Sequence, residues 1–385
     1  MDLGGVLESH SLYRKSIQII KQNQAPTGAY IASPNFKNYA YAWLRDGSFT
    51  AYAMDCVGEH DSAQRFYLWV GDVIKRHASK LAHIERSLAE RKPLEDRDFF
   101  HTRYTLQGVE ELQDDGWGKF QLDGYGTWLW SLARHVDLTG DSLLLQSVAE
   151  SVELTIRYIS AVYKLPNYDL WEENPTFLHV YTLGAVYGGL ASIANTSGVA
   201  SSAAASAIQT ACQVSNFILQ YGLLDGRLVK LIRPQPGNSP SFAGVFEAGV
   251  DASLVGLSTP YDLLAHNHPG MQATIDQIER DLHRKEGGVY RYLADTYFGG
   301  GEWLLLAGWL GWHYARNGNV ERALQLLRWI ESQACADGNL PEQVSSRLLA
   351  PEHFSLWENK WGPVANPLLW SHAMYLILYR EFYKI

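Results

Sequence analysis

The feature that most constrains this chain is a helical periodicity that recurs along almost its whole length. Apolar residues repeat every three to four positions in one segment after another, and few stretches alternate as strands do. Asp141, Asn319 and Pro367 stand where helix starts are expected. The fold class is therefore predicted to be all-α, with about twelve helices at residues 5–23, 46–57, 60–91, 124–138, 141–163, 175–194, 198–221, 246–256, 268–285, 302–316, 319–335 and 367–383.

Five long loops follow every second helix, at 92–123, 164–174, 222–245, 286–301 and 336–366. Loops longer than about 12–15 residues in a compact domain tend to be functional. These loops also hold most of the Trp, Arg and acidic residues outside the helices. Paired helices with such loops on one side predict a barrel of helical hairpins with its site at the mouth. No shift in composition marks a second domain, so one domain over 1–385 is expected.

The overall balance of charge and apolar residues excludes several classes of function. The net charge is -9, whereas a domain that holds a nucleic acid is normally basic. The N-terminus lacks an apolar run behind a basic start, and no segment approaches the ~20 apolar residues of a membrane span. We therefore expect a cytoplasmic protein without nucleic-acid or membrane partners, and the sequence gives no indication of its oligomeric state.

Neither a metal nor a cofactor is expected from the sequence. The three cysteines lie far apart in apolar, helical contexts, which favours buried free thiols over a disulfide or metal framework. His266 and His268 form a pair that no nearby Cys or acidic residue completes as a ligand set. The chain also contains no P-loop, no GxSxG and no glycine fingerprint for a dinucleotide.

Aromatic residues make up 12% of the chain, including 13 Trp and 22 Tyr. Trp and Tyr combine a flat apolar face with a hydrogen-bonding edge, and a sugar ring has an apolar C–H face with hydroxyls around its rim. A sugar-binding protein fits this composition, and so does a core that is rich in Trp.

Several short segments combine charged, aromatic and glycine residues in ways that allow two interpretations. In YAYAWLRDG, Arg45 and Asp46 could cap a helix or could form a fork for vicinal hydroxyls. In GWGKFQLDGYG, Trp117 lies among glycines that would let its face approach a ligand, unless the segment is a plain loop. A third segment, GVYRYLADTYFGGGEW, places Arg291 among tyrosines and is too polar for a core.

The segment YDLWEEN places Glu172 and Glu173 directly after Trp171. A solvated charge pair at the start of a helix near Pro175 is one interpretation. A Glu beside a Trp in a partly dry pocket would instead have a raised pKa and could donate a proton near neutral pH. Glu342, in the loop segment PEQV, is by base rate more often a solvated residue.

Taken together and in this order, these segments resemble the catalytic domain of glycoside hydrolase family 15, which includes glucoamylases, glucodextranases and isomaltose glucohydrolases. The blocks that carry the resemblance are YxYxWxRD, WGxxQxDG, DLWEE, RYxxDxYxGGxxW, EQ and PLxWSxA, spread from residue 39 to 373. The resemblance implies an (α/α)6 barrel and an inverting mechanism, with Glu172 as general acid and Glu342 as general base. It also implies a substrate-binding set of Tyr39, Trp43, Arg45, Asp46, Trp117, Trp171, Glu173, Arg291 and Gln343.

The resemblance predicts an exo-acting hydrolase that releases β-glucose from short α-1,6- or α-1,4-linked gluco-oligosaccharides. Acetal hydrolysis needs a proton on the leaving oxygen and a base for the attacking water, and only the fold can bring Glu172 and Glu342 together. The chain shows no accessory β-sandwich or starch-binding domain, which favours short soluble substrates of the isomaltose type. A trehalase of the same family and a non-catalytic sugar-binding regulatory protein on the same barrel are the alternatives.

Overall fold

The computed structural model describes residues 3–111, 116–234, 242–246 and 249–383, and helices dominate this part of the chain. The helices are α1 (Leu3–Gln22), α2 (Leu44–Cys56), α3 (His60–Arg76), α4 (Ala78–Ala89), α5 (Asp123–Thr139), α6 (Ser142–Val162), α7 (Val180–Ala194), α8 (Ser201–Tyr221), α9 (Pro269–Asp281), α10 (Leu304–Arg316), α11 (Val320–Ser332), α12 (Phe354–Trp361) and α13 (Leu369–Phe382).

The helices form two concentric rings. The inner ring closes through packing of α2 on α5, α5 on α7, α7 on the 3₁₀ segment Ala252–Leu257, that segment on α10, α10 on α13, and α13 on α2. Helices α1, α3, α6, α8, α9 and α11 pack around it and alternate with the inner elements along the chain. The predicted all-α (α/α)6 barrel is thus confirmed, while the extent of one domain over 1–385 stays a prediction.

The sequences of the two rings differ because their surroundings differ. Outer helix α3 is amphipathic, with one buried face and one charged face, whereas nearly every residue of inner helix α10 is buried. Inner helices also approach each other closely where glycines face each other. A Cβ on Gly189 of α7 would lie 2.2 Å from the carbonyl oxygen of Gly126 in α5, so this contact requires glycine.

Short strands lie at the mouth of the barrel, and three of them, β1, β3 and β8, lead directly into the inner helices α2, α7 and α10. They are β1 (Ala42–Trp43), β2 (Arg103–Tyr104), β3 (Leu178–His179), β4 (Leu223–Leu224), β5 (Arg227–Leu228), β6 (Leu231–Pro234), β7 (Phe242–Phe246), β8 (Glu302–Trp303) and β9 (Gln343–Val344). They pair antiparallel as β1–β2, β3–β6–β7, β4–β5 and β8–β9. The β8–β9 pair matters most for the site, because it ties the loop before α13 to the start of α10.

Four features of the helix prediction differ from the structure. The predicted helix 60–91 is two helices, because His77 leaves the helical conformation and its ring turns toward the loop at Gly108. The predicted helix 246–256 is reduced, in its described part, to a 3₁₀ segment that Asp251 caps. The loop 336–366 contains the unpredicted helix α12. The helix expected from 175 begins only at Val180, after a short strand.

The cysteine prediction is correct about bonding and only partly correct about burial. Cys56, Cys212 and Cys335 are all free thiols, but only Cys56 is partly buried. Cys212 lies on the solvent side of outer helix α8, and Cys335 lies in the loop after α11. No helix within the described ranges is long and apolar enough to cross a membrane.

Candidate active site

A cavity of about 460 Å³ opens at the end of the barrel where the inner helices begin, a volume typical of small-ligand sites. Its floor is made of buried side chains such as Trp370 and Leu305, and its rim includes the exposed Lys360. Ten of the eleven residues predicted for the site line this cavity: Tyr39, Trp43, Arg45, Asp46, Trp117, Trp171, Glu172, Glu173, Arg291 and Glu342.

Arg45 and Asp46 lie in the first turn of α2, and they form part of the cavity floor. The N-cap position belongs to Trp43, whose side chain makes no capping bond, so the interpretation of Arg45 and Asp46 as a capping pair is wrong. The Arg45 guanidinium lies 3.2 Å from a carboxylate oxygen of Asp46 and 3.2 Å from one of Asp123. Its carbon also lies 5.2 Å from the ring centre of Trp370. These contacts fix a buried cation at the bottom of the pocket.

The segment YDLWEEN is a tight turn that Asp169 organises. Oδ1 of Asp169 accepts hydrogen bonds from the backbone N–H groups of Trp171 (2.9 Å) and Glu173 (2.8 Å). Glu172 itself has φ = 66°, a left-handed conformation that is uncommon outside glycine and clusters at functional sites. Because α7 begins only at Val180, the interpretation of Glu172 and Glu173 as a helix-start charge pair is wrong.

The Glu172 carboxylate points into the cavity. Oε1 accepts a hydrogen bond from the indole N–H of Trp43 and lies 3.8 Å from the Arg45 guanidinium. Burial raises the pKa of Glu172 to about 7, and the opposing contributions of Arg45 and Trp43 are smaller. Glu172 can therefore carry a proton close to neutral pH.

Glu342 lies in the same cavity and is 2% exposed. The Tyr39 hydroxyl donates a hydrogen bond to its Oε1 (3.0 Å) and accepts one from the Tyr297 hydroxyl (2.9 Å). The other oxygen, Oε2, is buried and has no hydrogen-bond partner among the described residues. Burial raises the pKa of Glu342 to about 8, against the lowering effect of Tyr39. An unpaired carboxylate oxygen in a polar pocket is suited to accept a hydrogen bond from water.

Glu173 and Arg291 form a second charged group on one wall of the cavity. Tyr292 donates a hydrogen bond to Oε2 of Glu173 (2.5 Å), and the Arg291 guanidinium lies 3.6 Å from Oε1. Asp295 binds Arg291 through two hydrogen bonds, of 2.7 and 2.5 Å. The Arg291 carbon also lies 5.0 Å from the ring centre of Trp171. Arg291 is thus held rigidly, in line with its predicted role in shaping the site.

A buried lysine behind this wall was not predicted from the sequence. The Lys230 ammonium lies 2.9 Å from Asp251, 3.7 Å from Asp169 and 3.5 Å from the ring centre of Tyr292. Asp251 in turn accepts a hydrogen bond from the indole N–H of Trp171 (2.9 Å). The signal in the sequence is a single lysine within the apolar run 228–232, a place where a charged residue needs a buried partner.

The rim of the cavity is aromatic. Trp117 stacks on Trp361 of α12, with ring centres 5.7 Å apart and planes inclined by 28°. Trp357 and Lys360 of the same helix also line the opening. This arrangement favours the ligand-contacting interpretation of the Trp117 segment over that of a plain loop, because flat aromatic faces at an opening bind sugar C–H faces.

Gln343 is the predicted residue that the structure does not place in the cavity. Its side-chain oxygen accepts a hydrogen bond from the N–H of Gly301 (2.8 Å), and its nitrogen donates to the carbonyl of Tyr297 (3.4 Å). Gln343 is buried and does not line the cavity. Both polar ends of the amide bind backbone, and a direct contact between Gln343 and the substrate stays a prediction.

A pocket that is lined with aromatic residues and holds the carboxylates of Glu172 and Glu342, on a double ring of helices, is typical of a glycoside hydrolase. The sequence model of the glycosyl hydrolases family 15 matches residues 8–380. The chain belongs to this family, which confirms the resemblance seen in its sequence blocks.

The chain is 38% identical to an isomaltose glucohydrolase of Kribbella flavida, over 97% of this chain and 92% of that protein. An uncharacterised glycosyl hydrolase of Methanocaldococcus jannaschii is 26% identical, over 98% of this chain and 56% of that protein. Among solved structures, a glycosidase variant in complex with glucose is 36% identical with a TM-score of 0.91, covering 99% of this chain and 98% of that one. A bacterial glucoamylase complexed with acarbose shares the fold, with a TM-score of 0.70 at 21% identity over 96% of this chain and 55% of that one.

Proposed function

We propose that this enzyme is an inverting, exo-acting α-glucoside hydrolase that releases β-glucose from the non-reducing end of short gluco-oligosaccharides. The α-1,6 linkage of isomaltose is the preferred substrate bond, and α-1,4 linkages are the second choice. The observation that carries the proposal is that Glu172 and Glu342 line one cavity. Each carboxylate accepts a hydrogen bond from an uncharged donor, Trp43 for Glu172 and Tyr39 for Glu342.

The floor of the cavity supports attack at a chain end. Arg45 and Trp370 are buried beneath the carboxylates, and the rim at Lys360 is exposed. A pocket that is closed at one end admits a terminal sugar but not the middle of a chain. In this proposal Arg45 and Asp46 hold the hydroxyls of that sugar, since charged groups fixed by neighbours bind polar substrates with little loss of entropy.

The two carboxylates perform different steps of acetal hydrolysis. Glu172 donates its proton to the glycosidic oxygen as the bond to the anomeric carbon breaks, and the leaving sugar departs as an alcohol. Oε2 of Glu342, which has no partner among the described residues, takes a proton from the water that attacks the opposite face of the ring. The product is β-glucose, with a carboxylate on Glu172 and a carboxylic acid on Glu342, and exchange with solvent restores both.

The proton must start on Glu172 and not on Glu342. Both pKa values are raised, to about 7 and about 8, so the two groups titrate as a pair and only part of the population has this arrangement. Positive charge that develops on the sugar favours the ionised form of Glu342. The Tyr39 hydrogen bond acts in the same direction.

The preference for isomaltose rests on the relative that is 38% identical, whose name is isomaltose glucohydrolase. The trehalase alternative has no observation of its own in its favour. Family membership together with the two pocket carboxylates supports catalysis over a purely sugar-binding role. The single catalytic domain, the cytoplasmic location and the absence of a nucleic-acid partner stay predictions from the sequence.

The decisive experiment follows the anomer of the released glucose by proton NMR, with isomaltose, maltose, trehalose and longer homologues as substrates. We expect β-glucose first, fastest from isomaltose. Initial α-glucose would contradict the inverting mechanism. Fast release from maltose without turnover of isomaltose would make the enzyme a glucoamylase, and turnover of trehalose alone would make it a trehalase.

A further inference from the structure

A cluster of two histidines and two aspartates lies at the end of the barrel opposite the cavity. Asp55 is in the last turn of α2, His60 begins α3, His135 is in the last turns of α5, and Asp141 precedes α6. Along α2, Asp55 is about 15 Å from Arg45, at about 1.5 Å per residue. The cluster is therefore separate from the proposed chemistry, and it joins two helical hairpins.

Three ligand atoms of the cluster converge. Nδ1 of His60 lies 3.0 Å from Oδ1 of Asp55, and Nδ1 of His135 lies 2.8 and 3.0 Å from the two Asp55 oxygens. Such distances suit hydrogen bonds. They are also close to the spacing of neighbouring ligands on one metal ion, which is about 3.0 Å in an octahedral site and about 3.4 Å in a tetrahedral one when metal–ligand bonds are about 2.1 Å, and one atom from each of the three residues lies within 4.8 Å of the others. The distances alone do not distinguish these two arrangements.

The second ring nitrogen of His135, Nε2, distinguishes the hydrogen-bonded arrangement from the metal-binding one. If Nδ1 of His135 donated a hydrogen bond to Asp55, its Nε2 would be an acceptor. That Nε2 is buried, has no hydrogen-bond donor among the described residues, and lies 3.8 Å from the Asp141 carboxylate, which is also an acceptor. A proton on Nε2 removes this conflict, and it leaves the Nδ1 lone pair free for a metal ion. Metal-binding histidines commonly direct their other N–H toward a carboxylate in this way.

We propose that Asp55, His60 and His135 bind one divalent transition-metal ion, with Asp141 as the outer carboxylate that orients His135. Two imidazoles and one carboxylate suit Zn²⁺, Ni²⁺ or Co²⁺, whereas Ca²⁺ and Mg²⁺ prefer oxygen ligands. The His60 side chain is 43% exposed and provides the entry path. The ion would link the α2–α3 hairpin to the α5–α6 hairpin, and this inference does not depend on the proposed function.

A competing arrangement needs no metal. A doubly protonated His135 between Asp55 and Asp141 would also satisfy both ring nitrogens, with His60 as a second donor to Asp55. The two arrangements predict opposite results for binding of the metal alone.

The test is isothermal titration of the untagged, EDTA-treated and dialysed enzyme with ZnCl₂ and, separately, NiCl₂. We expect one ion per chain. In His60→Ala, affinity should fall at least about 10-fold, because a ligand is removed from a three-ligand set. His83→Ala is the matched control, since His83 is an exposed histidine on α4 with its own acidic neighbour, Asp98. This control should bind as the parent does.

Asp141→Asn tests the outer carboxylate. Asparagine is an equally good N-cap, so α6 keeps its start, while metal affinity should fall about 10- to 100-fold. The ion should also raise the Tm of the parent by several degrees and leave kcat on isomaltose unchanged. Absence of saturable binding, or equal binding by the parent and His60→Ala, would overturn the proposal and leave the doubly protonated His135 as the explanation.

Discussion

The Tyr39 hydroxyl lies 3.0 Å from Oε1 of Glu342, although the two residues are 303 positions apart in sequence. Tyr39 lies three residues before β1, the strand that leads into α2, and Glu342 directly precedes β9, the strand that pairs with β8. Four residues after Tyr39, Trp43 donates a hydrogen bond to Glu172. One short segment at the start of the inner ring therefore contacts both carboxylates, and each contact lowers the pKa of its carboxylate against the larger effect of burial.

Glu172→Gln and Glu342→Gln should each lower kcat on isomaltose by about 10²–10⁴-fold, because each removes a proton-transfer group. Glutamine keeps the size of the side chain, so binding of glucose, measured by titration calorimetry, should change little. Glu173→Gln is the control, because Glu173 lies on the wall of the cavity and has no proposed role in proton transfer. This substitution should change KM more than kcat. Activity close to that of the parent in either of the first two variants would refute the role assigned to that residue.

Glu342→Gln should be more stable than the parent enzyme, by an amount that grows with pH. Burial raises the folded-state pKa of Glu342 to about 8 from an ordinary 4.5, so the folded state binds an extra proton between these values. The linked stability is therefore complete below pH 4.5 and is lost as the pH rises toward 8. Glutamine cannot ionise, so the Tm of the variant should exceed that of the parent most clearly near pH 8. Equal Tm differences at pH 5 and pH 8 would contradict the raised pKa.

Tyr39→Phe should move the pH optimum of kcat/KM upward. The parent should show a bell-shaped profile that bends near pH 7 and pH 8, values that belong to the pair of carboxylates. Loss of the Tyr39 hydroxyl removes a donor that lowers the pKa of Glu342. Trp361→Phe, a change at the rim, should leave the optimum in place. An unchanged optimum in Tyr39→Phe would show that this hydrogen bond does not control Glu342.

Lys230→Met should lower kcat on isomaltose by about 10-fold or more, with a smaller change in KM. Lys230 joins Asp169, which holds the Glu172 turn, to Asp251, which holds Trp171, and small displacements of a catalytic group are costly. The Tm should also fall, because two buried carboxylates lose their cation. Adding Asp251→Asn should recover part of the Tm without restoring kcat. Full activity in a well-folded Lys230→Met would show that the lysine serves stability alone.

The exposed Lys164, at the start of the loop that contains Glu172, provides the control for this series. Lys164→Met also removes one positive charge, from the loop that contains Glu172, without touching Asp169 or Asp251. Its kcat and Tm should match those of the parent enzyme.

Gln343→Met should reduce stability without raising KM. The change keeps the side-chain volume but leaves the N–H of Gly301 unsatisfied in a buried position, at a cost of about 1–3 kcal/mol. Urea unfolding measures the loss of stability, and kinetics on isomaltose measure KM. A KM that rises several-fold at unchanged stability would instead support the prediction that Gln343 touches the sugar.

The helical class of the fold and most of the residues around the cavity follow from local features of the amino-acid sequence. The 3.6-residue periodicity sets helix formation locally, and the aromatic and acidic blocks fall in loops before inner helices, where a barrel gathers them. The boundaries of the helices were predicted less accurately than their existence. Val180 begins α7 later than periodicity predicts, because the preceding residues pair as a strand with β6.

The roles of individual side chains, by contrast, arise from contacts that exist only in the folded chain. Gln343 and Glu342 are neighbours in sequence, yet the Gln343 amide binds the backbone of Gly301, while Glu342, directly before β9, lines the pocket. Lys230 and Asp251 have no local pattern that marks them, and their roles follow from contacts with Asp169 and Trp171. The physical reason is that periodicity records which face of an element is buried, whereas pKa values and ion pairs depend on contacts between residues distant in the chain.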